Sequence, residues 1–187
     1  MTTREHILDK AGKLIYRKGY LAASISDILA ESGVGKGQLY HYFASKKAIG
    51  LEVVTRLLAQ WRIELLDGIL KQSNPSQALL DMIDWFFTFH QQQEVHYGCP
   101  VGNLIVELAT QEADFQLLLE DFISDWVVGL ATVLGKQSPN LSDKERTDLA
   151  LSMISSLQGG AVLVKLQQDM HSLEAVRQGL IQQFILI

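Results

Sequence analysis

The sequence contains very little cysteine and proline: one cysteine, Cys99, and three prolines in 187 residues. A single cysteine cannot form a disulfide within the chain, and such usage is typical of the reducing cytoplasm. Few prolines and the lack of alternating β-branched runs favour an all-helical fold. The chain also lacks the roughly 18 uninterrupted apolar residues of a membrane span, and its first residues lack the apolar segment of a signal peptide. We therefore expect an all-α cytoplasmic protein without a membrane span.

Basic residues are concentrated near the N-terminus, although the whole chain has a net charge of −5. Residues 1–50 contain eight Lys or Arg and four Asp or Glu, a balance of +4, whereas the remaining 137 residues contain eight and 17, a balance of −9. A basic end on an acidic body is expected when that end approaches phosphates, and ordinary charge scatter is the alternative. With 48% apolar residues, the chain can bury a substantial core in one large domain or two small ones.

Apolar periodicity and capping signals predict nine helices. The first begins at the capping pair Thr2 and Glu5 and ends at Gly19. The others are predicted to open at Ser24, Lys36, Ser45, Asn74-Pro75, Cys99-Pro100, about Ala113, Ser142 and Ser172. We expect the fourth to continue to about Lys71, the seventh to stop at Gly135, and the eighth to reach about Gln168.

The run Gly33-Val-Gly-Lys-Gly-Gln-Leu-Tyr-His-Tyr-Phe-Ala-Ser-Lys46 is the most informative part of the chain. Its glycine-rich turn separates two short helical segments, as in a helix-turn-helix whose second helix enters the DNA major groove. Leu39 and Phe43 lie four residues apart and are expected to be buried together. Gly37 would let the backbone come close to a base edge. The remaining side chains are predicted to lie outside: Lys36, Gln38, Tyr40, His41 and Tyr42.

With Ser24-Ile-Ser-Asp-Ile28 before it and Ser45-Lys-Lys47 after it, this run resembles the N-terminal signature of the tetracycline-repressor-like (TetR) family of transcriptional regulators. The close resemblance covers about residues 3–60. It departs from the usual form at Gly35, where Ser or Thr is commoner, and at Gln38, where a small residue or Thr is frequent. Glycine remains an acceptable N-cap, whereas Gln38 affects which bases are read.

The resemblance implies a helix-turn-helix DNA-binding domain at 1–47 and a helical regulatory and dimerisation domain at 48–187. It implies a one-component repressor that binds double-stranded operator DNA as a homodimer. A small molecule or electrophile would release the repressor, and no catalysis, cofactor or metal is expected. Position by position, the resemblance assigns the DNA contacts to Ser24, Ser26, Lys36, Gly37, Gln38, Tyr40, His41, Tyr42 and Lys46. Among these, Gln38 is suited to bidentate bonds with adenine, and Ser24, Ser26 and Lys46 to phosphates.

The aromatic residues of the body are either simple core or the wall of an effector pocket that also includes isolated polar groups. The pocket candidates are Trp61, Trp85, Phe86, Phe89, Asn103, Trp126 and Gln158. In this family the last two helices form the dimer interface, for which the candidates are Leu157, Gly160, Ala161, Val164, Leu180 and Phe184. Two mid-helix glycines, Gly159 and Gly160, each cost about 1 kcal/mol relative to alanine. Either the helix of a second subunit approaches them closely, or a kink or close crossing lies within the chain.

Cys99 is a candidate sensor because it precedes Pro100 at the start of the predicted sixth helix. The positive end of a helix dipole favours the reactive thiolate. Some TetR-like regulators place a sensing cysteine at a Gly-Cys start to this helix, which Gly98-Cys99 resembles. If Lys165 faces inward, it could supply a second positive charge or react with an oxidised sulfur. The alternative is a small buried thiol that fills space.

Three competing functions have weaker support. Residues 30–37 nearly form a phosphate-binding P-loop, but Gly37 replaces the Ser or Thr that holds magnesium, and a helix precedes the run where a strand is required. His90, Glu94 and His96 lack a further ligand at zinc-like spacing. No motif of nucleophilic or metal-assisted catalysis is present. An enzyme using the body pocket and a protein-binding helical adaptor remain the alternative functions.

Overall fold

The computed structural model describes residues 1–184, which form nine α-helices and no β-strand. The all-α prediction is confirmed. The helices are α1 (Thr3–Lys18), α2 (Ile25–Ser32), α3 (Lys36–Tyr42), α4 (Lys46–Trp61), α5 (Pro75–Gln91), α6 (Pro100–Leu108), α7 (Ala113–Gln137), α8 (Asp143–Gln167) and α9 (His171–Phe184).

Side-chain caps set the starts of several helices, as predicted. Thr2, Ser24 and Ser142 each accept a hydrogen bond from the amide three residues later, and the acidic side chain at that position accepts one from the cap's own amide. Each capping box satisfies two amides that the helix leaves without partners. Asn74 caps α5, with Pro75 at the first helical position. These four starts were readable from sequence because every partner is local.

Two boundary predictions, at Gly135 and Ser172, are wrong, whereas the fourth helical segment ends at Lys71 as predicted. It is α-helical only to Trp61 and continues as a π-helical segment, Arg62–Gly68, and a 3₁₀ turn, Ile69–Lys71. Glycine permits this path, because a Cβ at Gly68 would lie 3.2 Å from the carbonyl oxygen of Ile63. Gly135 lies inside α7 instead of ending it, and a Cβ there would lie 2.6 Å from the Arg146 guanidinium. Ser172 lies within α9, which begins one residue earlier at His171.

The chain divides into two compact units. Unit 1 contains Met1–Gln60 and Pro100–Glu120, so α6 belongs to the unit that contains α1 to α3. Its core includes Ile7, Ile28, Leu39, Phe43 and Ile49. Unit 2 contains Trp61–Cys99 and the chain from Asp121 onward. Its core is built mainly on α5, α7, α8 and α9, with buried residues such as Met82, Phe86, Trp126, Ile154 and Leu173.

Within the described part of the chain, α8 is the one helix long and apolar enough to cross a membrane by length and composition. A single helix of this kind is weak support for a membrane span, because core helices of soluble proteins have the same composition. Several apolar side chains of α8 are exposed in the single protomer, including Val162 and Leu166. Part of the apolar surface of α8 is therefore exposed and is open to contact with another protein element.

Candidate nucleic-acid interface and effector site

Helices α2 and α3 form the predicted helix-turn-helix. Gly33 ends α2 in the left-handed conformation, with φ 67° and ψ 11°, which glycine adopts without a steric penalty. Gly35 is the extended N-cap of α3 and offers no capping side chain. On the inner face of this motif, Leu39 is 0% exposed and Phe43 is 3% exposed. The predicted burial of this pair is confirmed, and it determines which side of α3 faces outward.

The outer face of α3 carries six exposed residues, as the sequence predicted: Lys36, Gly37, Gln38, Tyr40, His41 and Tyr42. The rings of His41 and Tyr42 are in edge contact, with centroids 4.9 Å apart. A Cβ added at Gly37 would meet nothing within 4 Å in the protein itself. No feature of the described protein therefore requires glycine at this position.

The basic residues of the N-terminal region are not equally available to a ligand. Five of the eight pair with carboxylates: Arg4, Lys13, Arg17, Lys18 and Lys47. Within residues 1–184, Lys10, Lys36 and Lys46 form no salt bridge. Two of these three cations flank the exposed face of α3, one at its first residue and one just after it. Positive charge that no carboxylate of the described residues neutralises is thus placed beside the outer face of α3.

The three predicted phosphate contacts differ in their surroundings. The Ser24 hydroxyl accepts from the Asp27 amide at 3.1 Å and lies 2.7 Å from the Asp27 carboxylate, to which it donates. These bonds from Ser24 hold the pKa of the Asp27 carboxyl well below its ordinary value. Ser26 is exposed in the first turn of α2. Lys46 donates to the carbonyl oxygen of Leu21 at 3.1 Å and keeps two further protons for an incoming group.

The turn between α1 and α2 is held by Glu107 of α6. The Glu107 carboxylate accepts from the backbone N–H groups of Tyr20 at 2.9 Å and Leu21 at 2.7 Å. Gly19 has φ 90°, and a Cβ there would lie 3.0 Å from the same carboxylate. These bonds of Glu107 position the chain that enters the helix-turn-helix.

Six aromatic side chains form a connected cluster in unit 2. Ring centroids lie 4.9 Å apart for Trp61 and Trp85, 5.7 Å for Trp61 and Phe89, and 6.3 Å for Phe86 and Trp126. Four of the predicted pocket aromatics are thereby brought together with Trp61. The sixth ring, Phe122, was missed because nothing in its local sequence distinguishes it from other apolar residues of α7. It lies 6.1 Å from both Trp61 and Trp126.

Polar groups border this cluster at the π-helical segment. Glu64 accepts a hydrogen bond of 3.1 Å from the Trp85 indole N–H. Arg62 stacks over Phe122 at 5.6 Å and pairs with Asp121 at 2.7 Å and with Asp125. π-helical segments occur frequently at functional sites. Trp85 and Phe89 are half-buried, so this side of the cluster reaches the surface of unit 2.

The remaining candidates of the effector site occupy different environments. Cys99 is 3% exposed, and its sulfur accepts a hydrogen bond of 3.3 Å from Gln158 Nε2. Asn103 is half-buried on α6. Lys165 is exposed on α8, so the inward orientation that a role beside the thiol would require is not present. No group of three or more His, Cys, Asp or Glu in residues 1–184 is arranged to hold a metal ion.

The candidate dimer residues are mostly buried within one protomer. Leu157, Ala161 and Val164 are each 0% exposed, and Leu180 is 6% exposed. A Cβ at Gly160 would lie 2.8 Å from Leu173 Cδ1 and 3.3 Å from Val176 Cγ2 of the same chain. The expectation that Gly160 admits a second subunit is therefore corrected: it admits α9. Phe184, at the end of α9, is half-buried.

A different face of α8 is exposed. Its apolar and small residues recur along the helix at Leu151, Ser155, Gly159, Val162 and Leu166. Leu151 is 46% exposed, Val162 61% and Leu166 78%. A Cβ at Gly159 would meet nothing within 4 Å. Apolar side chains exposed along one face of a helix make that face a candidate interaction surface, because their contact with water is unfavourable.

An all-α chain with an N-terminal helix-turn-helix and an outward-facing second helix belongs to the class of DNA-binding regulators. Family models support this assignment over most of the length. Residues 7–53 match bacterial regulatory proteins of the tetR family, and residues 75–179 match the C-terminal domain of LmrA/YxaF-like transcriptional regulators. The chain therefore belongs to the TetR family of transcriptional regulators.

Individual relatives agree with this assignment. The chain is 41% identical over 174 residues to an uncharacterized HTH-type transcriptional regulator in the lacX 3′ region of Lactococcus lactis subsp. lactis, covering 92% of this chain and 88% of that protein. It is 31% identical over 144 residues to the HTH-type transcriptional repressor NemR of Escherichia coli K12, covering 75% and 68%. A TetR transcriptional regulator from Legionella pneumophila has the same fold, with a TM-score of 0.85, 24% identity and 98% of each chain covered.

Proposed function

We propose that this protein is a cytoplasmic repressor that binds operator DNA as a homodimer and is released by a small molecule or electrophile. Residues 1–47 carry the DNA contacts, and residues 48–187 carry regulation and dimerisation. The proposal includes no catalytic activity. The observation that supports it best is the exposed face of α3, where hydrogen-bonding side chains stand beside Lys36 and Lys46, which form no salt bridge within residues 1–184.

The contacts divide by chemistry. The Gln38 amide both donates and accepts, which suits it to the N6 and N7 edge of adenine. Contacts to base edges and to phosphates are divided among Lys36, Tyr40, His41 and Tyr42. Gly37 allows the backbone of α3 to come close to a base. Ser26 and Lys46 contact phosphates that fix the register of the protein on DNA. Ser24 contributes mainly as the cap of α2, because its hydroxyl already bonds to Asp27.

Dimerisation is proposed through the exposed face of α8 that contains Gly159 and Val162, together with α9. The buried residues Leu157, Gly160, Ala161, Val164 and Leu180 support that face from within the protomer. A two-fold dimer would place its recognition helices about one helical turn of DNA apart, roughly 34–36 Å. The symmetry of the operator would then follow from that of the protein.

The effector is proposed to bind unit 2 at the aromatic cluster. Apolar walls with a few placed polar groups are typical of small-molecule sites. Glu64 is such a polar group at the cluster, and Gln158 and Cys99, also in unit 2, are joined by a hydrogen bond. The Cys99 thiol would also allow an electrophile to act by covalent modification. A relative is named a repressor. This name supports the view that the effector releases the protein from DNA rather than recruiting it to DNA.

The test is binding to the DNA upstream of the protein's own gene, measured by fluorescence anisotropy at two salt concentrations. The affinity is expected to fall steeply with salt, because basic side chains that contact the phosphates displace the counterions bound to DNA. Lys46→Ala should weaken binding to DNA of every sequence and reduce the slope of affinity against salt concentration by about 1. Gln38→Ala should instead change the preference among operator variants. Lys144→Ala on α8 is the control and should match the wild type. Absence of binding at low salt would refute the proposal, and equal losses for both variants on every operator would refute the division of roles.

A further inference from the structure

His90 on α5 has one ring nitrogen with a partner and one without. The residue is 1% exposed, and Nδ1 lies 2.8 Å from the carbonyl oxygen of Phe86. Because a carbonyl oxygen only accepts, Nδ1 carries the proton. In the neutral ring, Nε2 is then an acceptor with a lone pair. This Nε2 is buried and has no hydrogen-bond partner within residues 1–184.

The imidazole is held neutral by its surroundings. Burial lowers the pKa of His90, the bond to Phe86 opposes that shift, and the nearby His96 lowers the pKa further. Protonation therefore does not turn Nε2 into a donor near neutral pH. Native proteins leave few buried acceptors unsatisfied, since each loses its bond to water without replacement. An acceptor of this kind indicates that a water or a ligand completes it.

The His90 ring packs against two phenylalanine side chains. Its ring centroid lies 4.6 Å from that of Phe86 and 5.2 Å from that of Phe89, both members of the aromatic cluster. No carboxylate is among the groups that shift its pKa. The nearest part of unit 2 thus offers flat apolar surface and a neutral acceptor, which together suit an uncharged aromatic group better than an ion.

A second buried ring nitrogen lies in the same region. Nδ1 of His96 is buried and has no partner in the described part of the chain. The backbone of His96 is fixed by Gln168, which accepts from the His96 amide at 3.1 Å and donates to its carbonyl oxygen at 2.9 Å. The two histidines are therefore held by the fold, independently of any ligand.

We propose that unit 2 binds a small, uncharged, flat molecule bearing a hydroxyl or N–H group, with this donor on His90 Nε2 and its flat part against Phe86 and Phe89. The inference rests on the proposed function, because it names the chemical class of the effector. It differs from the Cys99 hypothesis in needing no covalent bond. Phenolic and indole-like compounds are the simplest members of this class.

The experiment compares phenol with anisole, which differ only in that a methyl group replaces the hydroxyl proton. Isothermal titration of the full-length protein is expected to show about fivefold to tenfold tighter binding of phenol, the usual net effect of one hydrogen bond. His90→Phe keeps an aromatic ring but removes the acceptor, so the ratio should fall to about one. His171→Phe, at the exposed start of α9, should keep the wild-type ratio.

A spectroscopic measurement on the wild type covers the case in which His90→Phe does not fold. Phenol, but not anisole, should shift the ¹⁵N resonance of His90 Nε2. Equal binding of the two probes, or an unshifted resonance, would assign Nε2 to a water and overturn the inference. Operator binding is measured on the same samples. Salt-dependent operator binding without a phenol preference would refute only this inference, whereas a phenol preference without operator binding would refute only the proposed function.

Discussion

The Glu107 carboxylate of α6 accepts a hydrogen bond of 2.7 Å from the backbone N–H of Leu21, in the turn that leads into the helix-turn-helix. The carbonyl oxygen of Leu21 accepts from Lys46 of α4 at 3.1 Å. Both backbone groups of one turn residue are therefore held by side chains distant in sequence. The Lys46 ammonium also lies 4.6 Å from the centroid of the Tyr20 ring. The position of α2 thus depends on α4 and α6.

Glu107→Gln is expected to lower the free energy of unfolding by about 1–3 kcal/mol, because two backbone N–H groups lose a charged acceptor. Operator affinity should fall while the salt slope stays unchanged, since no phosphate contact is removed. Thermal melting and anisotropy titrations at two salt concentrations measure both effects. Glu120→Gln, at an exposed position of α7, is the matched control. Wild-type stability in Glu107→Gln would show that the bonds to Tyr20 and Leu21 contribute little.

Gly37→Ala separates the needs of the fold from those of DNA binding. The added Cβ meets nothing within 4 Å, and alanine is favoured over glycine in a helix by up to about 1 kcal/mol. The variant should therefore melt at the same temperature as the wild type or higher. Operator affinity should nevertheless fall, because the methyl group occupies the space that a base edge would take. If affinity is unchanged, the backbone of α3 does not approach the bases at this residue.

Two adjacent glycines of α8 distinguish the protomer core from the subunit interface. Gly160→Leu should destabilise the protomer, because its Cβ would already lie 2.8 Å from Leu173. Gly159→Leu should leave the protomer folded, since that site is open, but it should shift the sedimenting species from dimer to monomer. Urea denaturation and analytical ultracentrifugation report the two effects. A Gly159→Leu variant that remains dimeric would remove this face of α8 from the interface.

Cys99 is tested on the protein bound to its operator. An oxidant or thiol-alkylating agent should release the wild type but not Cys99→Ser, if the thiol is the sensing group. The hydrogen bond from Gln158 to the sulfur should favour the reactive thiolate, so Gln158→Leu is expected to be alkylated more slowly. Release is followed by anisotropy, and alkylation by mass spectrometry. Equal behaviour of the wild type and Cys99→Ser would leave Cys99 as a core residue and favour a reversibly bound effector.

Stability is expected to fall on mild acidification because of His90. Its pKa is lowered in the folded state, so the unfolded chain binds the proton at a higher pH than the folded protein does. The stability is fully present above the ordinary histidine pKa of about 6.5 and is lost progressively as the pH falls toward the lowered value. Urea denaturation at about pH 7.5 and about pH 5.5 measures this loss, which His90→Phe should reduce. His171→Phe should retain it.

Much of the architecture was readable from sequence because its causes are local. Capping boxes at Thr2, Ser24 and Ser142 join residues three apart, and apolar periodicity reports the buried side of each helix. The helix-turn-helix was equally readable, since burial of Leu39 and Phe43 decides which residues of α3 face outward. The family resemblance then added the assignment of individual residues to DNA, which neither composition nor periodicity specifies.

The sequence by itself thus determined the helices, the turn and the outward face of α3. The tertiary structure alone decided where Gly160, Lys165, Glu107 and His90 lie. Gly160 meets α9 of its own chain, Lys165 is exposed, and Glu107 holds a turn more than 80 residues away. The unpartnered nitrogen of His90 is visible only once the surrounding groups are placed. Each of these depends on which elements pack together, and helical periodicity shows that a face is buried without showing what covers it.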